Sequence, residues 1–192
     1  MSKYRTITEL SEGFYKEKGS KFLAFAVPCK SEEEAKIDLI TYRKKYPQAA
    51  HVCYAFRFGS DKKTVRSSDD GEPSNSAGPP ILGQIQSFDL TNILIAVVRF
   101  YGGTNLGVGG LINAYRTAAK EALELAQIVE REDEQILEIN FSFEQMPLVM
   151  KLIKSQTITI LEQTFDNHCF LKISFPVSNT LIVNQLEKIL KI

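Results

Sequence analysis

The 192-residue sequence has no apolar run that approaches the ~20 residues required by a membrane-spanning helix. Its first residues, MSKYRTITELSEG, lack the apolar core of a secretory signal peptide. Cysteine is scarce, and the three cysteines, Cys29, Cys53 and Cys169, are odd in number and widely spaced, which argues against a disulfide framework. We therefore expect a cytoplasmic protein without a membrane partner.

The sequence also lacks an excess of charge of either sign, because basic and acidic side chains both number 23. No global field would draw such a protein to nucleic acid or anionic lipid, so any contact with nucleic acid must come from a local patch. The chain length and the 44% of hydrophobic residues suit two modest domains. We place their boundary in the charged run EREDE, interpreted as a solvated linker, which gives domains over residues 1–130 and 131–192.

In the first domain, apolar periodicity predicts strands mixed with helices. Ser31 and Glu34 form a capping box that predicts the start of a helix, and Pro47 ends that helix. The uninterrupted apolar run over residues 92–101 predicts a central strand that is covered on both faces. The other predicted elements are strands over 21–27, 51–58 and 62–66, a short helix opened by Pro79 and Pro80 that runs through Gln86, and an amphipathic helix over 111–127.

The second domain is predicted to have the element order βαββα, which is similar to a ferredoxin-like unit. A full β-α-β-β-α-β unit needs one more strand, and the sequence leaves open whether that strand is absent or the sequence is short. The predicted strands cover residues 135–143, 157–165 and 168–177, and the predicted helices cover 146–154 and 179–190.

The most informative local feature is the glycine loop, GGTNLGVGG, between the central strand and the amphipathic helix. Glycines let backbone N–H groups approach an anion, and the following helix offers its positive end, so phosphate is the expected ligand. The spacing matches neither the P-loop nor the dinucleotide-binding fingerprint, and the alternative is a sharp turn whose glycines only allow tight packing. Five of the chain's 11 glycines lie in this loop: Gly102, Gly103, Gly107, Gly109 and Gly110.

Two arginines flank the glycine loop, Arg99 before it and Arg116 within the following helix. Arginine suits planar contact with phosphate or carboxylate. Tyr101 and Tyr115 add stacking surface, a combination typical of single-stranded nucleic-acid binding. The alternative for each arginine is an ion pair with a nearby carboxylate at the surface. The predicted ligand site comprises Arg99, Tyr101, the five glycines and Arg116.

The acidic loop, SSDDGEPSNSAGPP over residues 67–80, carries turn-forming residues and little that could enter a core. Ordered loops of this length tend to bind something. Its carboxylates could coordinate Mg²⁺, but they lack the alternating spacing of a calcium loop. Fixing the loop through hydrogen bonds, with Arg99 as one partner, is the favoured interpretation, and we expect no metal, no cofactor and no catalytic residue. The candidate residues of this loop are Asp69, Asp70, Glu72 and Ser74.

His51 and Cys53 lie two residues apart on one face of a predicted strand. Neither a C-x-x-C pair nor an H-x-x-x-H pair accompanies them, and a Cys–His nucleophile would lack an orienting third group. Packing or a buried hydrogen bond is therefore the expected role of both side chains.

Four segments match, in order, the motifs of a known family. They are KGSKFLAF at 18–25, HVCYAF at 51–56, SDDGEPSNSAGPPIL at 68–82 and VVRFYGGTNLGVGGLINAY at 97–115. On these motifs the sequence resembles the IMPACT/YigZ family. The resemblance implies an α+β fold of two domains, an N-terminal α/β domain like the second domain of a small-subunit ribosomal protein and a ferredoxin-like domain similar to one in elongation factor G.

The resemblance also implies a function: a translation-linked protein that binds RNA or the ribosome, or that regulates translation. In eukaryotic relatives the family domain accompanies another module and restrains signalling to the kinase that halts translation initiation in starvation. Two alternatives stay open. One is an enzyme acting on a phosphorylated or nucleotide ligand, with the glycine loop holding phosphate, and the other is a protein-interaction module in the regulation of translation, which the eukaryotic resemblance implies. The sequence departs from the family pattern at Pro79, where a basic side chain is lost, and at Thr104 and Asn105, which make the glycine loop more polar.

Overall fold

The computed structural model describes residues 3–166 and 168–190, so the outer ends of the two predicted domains, residues 1, 2, 191 and 192, lie outside it. The chain forms two compact units, one over Tyr4–Arg131 and one from Glu132 onward. Each unit combines helices with strands, and the α+β fold of two domains is confirmed. Among the described residues, no helix is long and apolar enough to cross a membrane.

The first unit is built on a five-stranded sheet in which every neighbouring pair is antiparallel. The elements in chain order are β1 (Lys3–Ile7), β2 (Ser11–Glu17), β3 (Ser20–Pro28), α1 (Glu32–Lys45), β4 (His51–Phe58), β5 (Thr64–Ser68), α2 (Gly78–Ser87), β6 (Ile93–Phe100), α3 (Gly107–Glu124) and β7 (Ile128–Glu132). The strand order in the sheet is β2-β3-β6-β4-β5. The strand predicted to be central, β6, holds that place and is buried on both faces.

Helices cover both faces of this sheet. Ala24 and Ile95 point to the face where α2 and α3 complete the largest hydrophobic core. Phe25, the neighbour of Ala24 along β3, points to the opposite face and packs with α1. The predicted cap of α1 is present, because Ser31 Oγ accepts a hydrogen bond from the backbone N–H of Glu34 at 3.2 Å.

Three features of the first unit differ from the sequence analysis. The helix α3 begins at Gly107 rather than at Leu111, because glycines can form a first helical turn without contributing to apolar periodicity. The charged run over residues 130–134 is not a solvated linker, since β7 extends into it and pairs with β1. The polar N-terminal segment forms β1 and β2, which the sequence does not predict, because pairing with other strands rather than an apolar run stabilises them.

The second unit has the predicted order βαββα. Its elements are β8 (Glu134–Phe141), α4 (Met146–Ser155), β9 (Thr159–Phe165), β10 (Cys169–Pro176) and α5 (Leu181–Leu190). The strands form an antiparallel sheet in the order β8-β10-β9, and Val149, Leu171 and Ile182 lie in the core between this sheet and the two helices. The expected likeness to domains of a ribosomal protein and of elongation factor G stays a prediction.

Candidate functional site

The glycine loop begins at the end of β6, where it lies against the turn between β2 and β3. A Cβ added to Gly102 would lie 2.0 Å from the backbone carbonyl carbon of Gly19, and the Gly102 N–H donates to Ser20 Oγ at 3.1 Å. At this position the structure supports the tight-packing interpretation. Gly103 is different: its φ is +84°, and nothing lies within 4 Å of an added Cβ.

The later glycines of the loop form the first turn of α3. Gly109 has ordinary backbone geometry, and nothing lies within 4 Å of a Cβ added there, so packing does not require glycine at this position. The N-cap residue, Leu106, supplies no side-chain hydrogen bond, and the first turn contains no acidic residue. Gly107, Val108 and Gly109 are exposed. This 18-residue helix therefore presents free N–H groups and the positive end of its dipole to solvent.

The acidic loop supplies the cap that α2 needs. Asp69 Oδ1 accepts hydrogen bonds from the backbone N–H groups of Ala77 at 2.9 Å and Gly78 at 2.8 Å. Its Oδ2 accepts a third from Asn75 at 2.8 Å. A carboxylate of the protein itself thus occupies the position at the start of α2 where an anion is stabilised.

Arg99 lies inside the first unit rather than at its surface. Its side chain is 6% exposed, and its Nη1 donates to Oε1 of Glu72 at 2.6 Å, where the Glu72 side chain is 3% exposed. The guanidinium carbon lies 5.5 Å from the ring centres of both Phe22 and Tyr101. Of the two interpretations of Arg99, pairing with a carboxylate is the one observed, so its charge is already balanced.

Glu72 also anchors a buried cluster that contains Tyr115 and Cys53. The Tyr115 hydroxyl donates to Glu72 Oε1 at 2.7 Å and accepts from Cys53 Sγ at 3.3 Å. Burial raises the pKa of both Cys53 and Tyr115 above their ordinary values, so both stay protonated at neutral pH. Tyr115 is therefore not the stacking surface that the sequence suggests, and Cys53 lacks the thiolate character of a nucleophile.

Asp70 fixes the acidic loop to β4 and α1. Its Oδ2 accepts from the backbone N–H of Val52 at 2.6 Å, and its Oδ1 pairs with Arg43. His51 Nδ1 lies 2.7 Å from the carbonyl oxygen of Asp70, and His51 Nε2 lies 3.9 Å from Glu72 Oε2. The carboxylates of the acidic loop thus bind groups of the same unit, and no cluster of metal-binding side chains occurs in residues 3–166 or 168–190.

The predicted site residues that do face solvent lie around the glycine loop. Tyr101 is 51% exposed, and its hydroxyl donates to Asn105 Oδ1 at 3.2 Å. Arg116 is exposed on α3, and Ser74 is exposed in the acidic loop. The accessible part of the predicted ligand site therefore consists of Tyr101, Arg116 and the exposed glycines of the loop, and Ser74 is accessible in the acidic loop.

The β2–β3 turn is a part of the site region that sequence reasoning missed. Lys18, with φ +46°, and Gly19, with φ +82°, form a two-residue turn between the paired residues Glu17 and Ser20. A Lys-Gly dipeptide between two short alternating segments is the signal that could have located it, although Asn-Gly would be a stronger one. The packing of this turn on Gly102 depends on a contact across the sheet that sequence spacing does not reveal.

Known proteins are similar in sequence to this part of the chain. The profile of the Impact N-terminal domain matches residues 18–123, which include the acidic loop and the glycine loop. An IMPACT family member from Haemophilus influenzae is 33% identical over 150 residues, which cover 77% of this chain and 73% of that protein. An IMPACT family member from Thermus thermophilus is 48% identical over 107 residues, covering 56% of each chain. YigZ from Escherichia coli is 38% identical over 108 residues, covering 55% of this chain and 53% of that protein.

Solved structures extend the similarity to the fold. The crystal structure of a hypothetical protein matches this chain with a TM-score of 0.77 and 25% sequence identity, over a region that covers 98% of this chain and 93% of that one. The structure of the two-domain translational regulator Yih1 is 29% identical over a region that covers 64% of this chain and 47% of that chain, with a TM-score of 0.37.

Proposed function

The chain belongs to the Impact N-terminal domain family, and on this premise we propose that it acts in the regulation of translation by binding RNA, free or on the ribosome. The translation-linked role implied by the family resemblance supports the first part of the proposal. The uncapped, exposed start of α3 supports the second part, and it is the single observation that carries it.

A phosphate group would supply the hydrogen-bond acceptors and the negative charge that the start of α3 lacks. The free N–H groups of a first helical turn are donors, and the helix dipole favours a negative charge beside them. No described residue outside the turn lies within 4 Å of a Cβ built on Gly107 or Gly109, so a phosphate oxygen has open space beside these donors. We propose that one phosphate of the RNA backbone binds here.

Two further exposed side chains extend this contact. The Tyr101 ring, half exposed beside the loop, offers a face on which a base can stack. Arg116 offers a guanidinium group on the exposed side of the same helix. Because the net charge is zero, we expect a small footprint of few phosphates and correspondingly modest affinity.

The structure gives the enzymatic alternative little to build on. That alternative needs Asp69, Asp70 or Glu72 for metal binding or proton transfer, whereas each of these carboxylates bonds to groups of the first unit. The protein-interaction alternative predicts a protein partner whose capture is insensitive to nuclease.

Substitution of Gly109 tests the proposal. In Gly109→Asp the new carboxylate lies at the start of α3, where it stabilises the helix but repels phosphate. We expect single-stranded RNA binding, measured by fluorescence anisotropy at low salt, to weaken by about tenfold or more in this variant. Gly109→Ala is the matched control, because it also fills open space but leaves the N–H groups free, and it should bind RNA as the natural protein does.

Two results would contradict the proposal. If the natural protein binds no RNA even at low salt, RNA binding is not its function. If Gly109→Asp and Gly109→Ala bind equally well, the start of α3 is not the phosphate site. Thermal unfolding of both variants checks that neither has lost its fold.

A further inference from the structure

The turn between β2 and β3 carries a cluster of lysines beside the glycine loop. Lys16 and Lys21 are directly opposite each other in the β2–β3 pairing, and both are exposed. Lys18 is exposed in the turn that joins the two strands. We refer to residues 16–21 as the lysine hairpin. Like charges directly opposite each other on neighbouring strands repel and destabilise the pairing.

Nothing in the described part of the chain balances these charges. The ion pairs found there join other basic residues, such as Arg43, Lys62 and Lys120, to their carboxylates. The acidic residue of the hairpin, Glu17, lies 3.2 Å from the Tyr15 hydroxyl, from which it accepts a hydrogen bond. The cluster therefore faces solvent with an excess of positive charge.

Lysine is also not a residue that this turn favours at position 18. Its φ of +46° lies in the left-handed region, where asparagine and glycine are the favoured residues of a two-residue turn. A residue that disagrees with its local backbone, within a cluster whose charges repel, is expected at positions kept for function rather than stability. Lysine at this position places a third positive charge between Lys16 and Lys21.

The hairpin is held in a fixed position against the glycine loop. Gly102 approaches the backbone of Gly19 so closely that no Cβ fits, and its N–H donates to Ser20 Oγ. Lys21 is paired with Phe100, the last residue of β6, which precedes the exposed Tyr101 ring. The backbone of the lysine hairpin thus lies beside the start of the glycine loop at one end of the sheet. Lys16 and Lys21 share the α1 face of the sheet with Phe25, whereas α3 lies on the other face, so a bound strand would pass around this end of the sheet to reach both.

We propose that the lysine hairpin is a second phosphate-binding surface, along which the backbone of a single-stranded RNA held at the glycine loop continues. This inference rests on the proposed function and adds to it the path of the strand. Lysine binds phosphate as a point charge and needs no fixed geometry, which suits a flexible backbone. The Tyr101 ring favours nucleic acid over an acidic protein, because bases stack on an exposed aromatic face.

The salt dependence of RNA binding tests this inference. The variant K16Q/K18N/K21Q removes the cluster, and the Asn at residue 18 suits the turn. The variant K30Q/K36Q/K63Q removes the same charge from three exposed lysines elsewhere in the first unit. For a single-stranded oligonucleotide, each phosphate contact contributes about 0.7 to the slope of log affinity against log salt, so the first variant should lower the slope by about 2. The control variant should keep the slope of the natural protein.

The outcomes separate this inference from the proposed function. If the hairpin variant keeps the slope of the control while Gly109→Asp still weakens binding, the hairpin is not a phosphate surface although the proposed function stands. If the natural protein binds no oligonucleotide, both fall. If the natural protein binds polyglutamate as tightly as RNA and loses both in the hairpin variant, the surface recognises acidic protein and the inference is overturned.

Discussion

The acidic loop and the glycine loop each lead from a strand to a helix on the same face of the five-stranded sheet, but they treat the start of that helix differently. Asp69 closes the start of α2 with a carboxylate, and Glu72 and Asp70 bind groups around it. Within residues 3–166 and 168–190, no side chain caps α3. The protein thus binds the N–H groups at the start of α2 with its own carboxylate and leaves those at the start of α3 exposed. For this reason we assign the external anion to the glycine loop.

The largest effect on stability should come from removing Glu72, the buried partner of Arg99. Glu72→Ala leaves the Arg99 charge buried without a partner, which should lower the free energy of unfolding by about 4 kcal/mol. Adding Arg99→Met should recover much of this loss, because it removes the uncompensated charge. Urea unfolding measures both, with Glu124→Ala, which breaks an exposed ion pair with Lys120, as the control. If Glu72→Ala and the control were equally stable, the buried pair would not hold the acidic loop.

The next effect concerns Gly102, the one glycine of its loop that packs tightly against backbone. In Gly102→Ala the new Cβ would meet the backbone of Gly19, so the turn between β2 and β3 must shift. We expect a loss of about 2 kcal/mol in the free energy of unfolding. Stability equal to that of the natural protein would show that the hairpin is not fixed against the glycine loop.

The buried cluster of Cys53, Tyr115 and Glu72 should make the free energy of unfolding depend on pH. Burial raises the pKa of Cys53 above its ordinary value of 9.0, so above that pH the unfolded chain binds fewer protons than the folded one. The free energy of unfolding should therefore fall as the pH rises above 9.0. The fall should be less steep in Cys53→Ala, as measured by urea unfolding at successive pH values. Burial also raises the pKa of Cys29 to about 11, and this contribution is the same in the natural protein and in Cys53→Ala. If the free energy of unfolding fell equally steeply with pH in both proteins, Cys53 would not be the buried thiol that causes the difference.

Sequence periodicity predicted the elements that carry apolar side chains into a core. It located β3, β4, β6 and α1, together with all elements of the second unit. It did not locate β1, β2 or β7, because these strands are stabilised by pairing and none of them contains a continuous apolar run. Elements that depend on distant partners give a weak local signal.

The candidate site was predictable in position but not in the roles of its residues. The glycine loop is recognisable from composition, yet Gly102 serves packing and Gly109 does not, and the difference depends on Gly19, which is distant in sequence. The burial of Arg99 likewise depends on Glu72, 27 residues away in the chain. Contacts of this kind are set by the pairing of strands and are not encoded in local spacing.

The smallest effect should appear at Gly109. Gly109→Ala adds a methyl group in open space within a helix, so it should raise the free energy of unfolding by about 0.5–1 kcal/mol. Gly103→Ala is the matched control, since its Cβ also meets open space but its φ is +84°, and it should lower the free energy of unfolding by about 1 kcal/mol. Equal losses in both variants would mean that the start of α3 packs against something that leaves no room for a ligand.

In our proposal the start of α3 binds an external anion, whereas the start of α2 does not. Amide chemical shifts of the ¹⁵N-labelled protein, recorded during titration with a single-stranded RNA, compare the two helices in one experiment. We expect the amide signals of Gly107, Val108 and Gly109 to move and those of Ala77 and Gly78, which are bonded to Asp69, to stay in place. Movement at Ala77 and Gly78 with no change at the start of α3 would contradict the proposal.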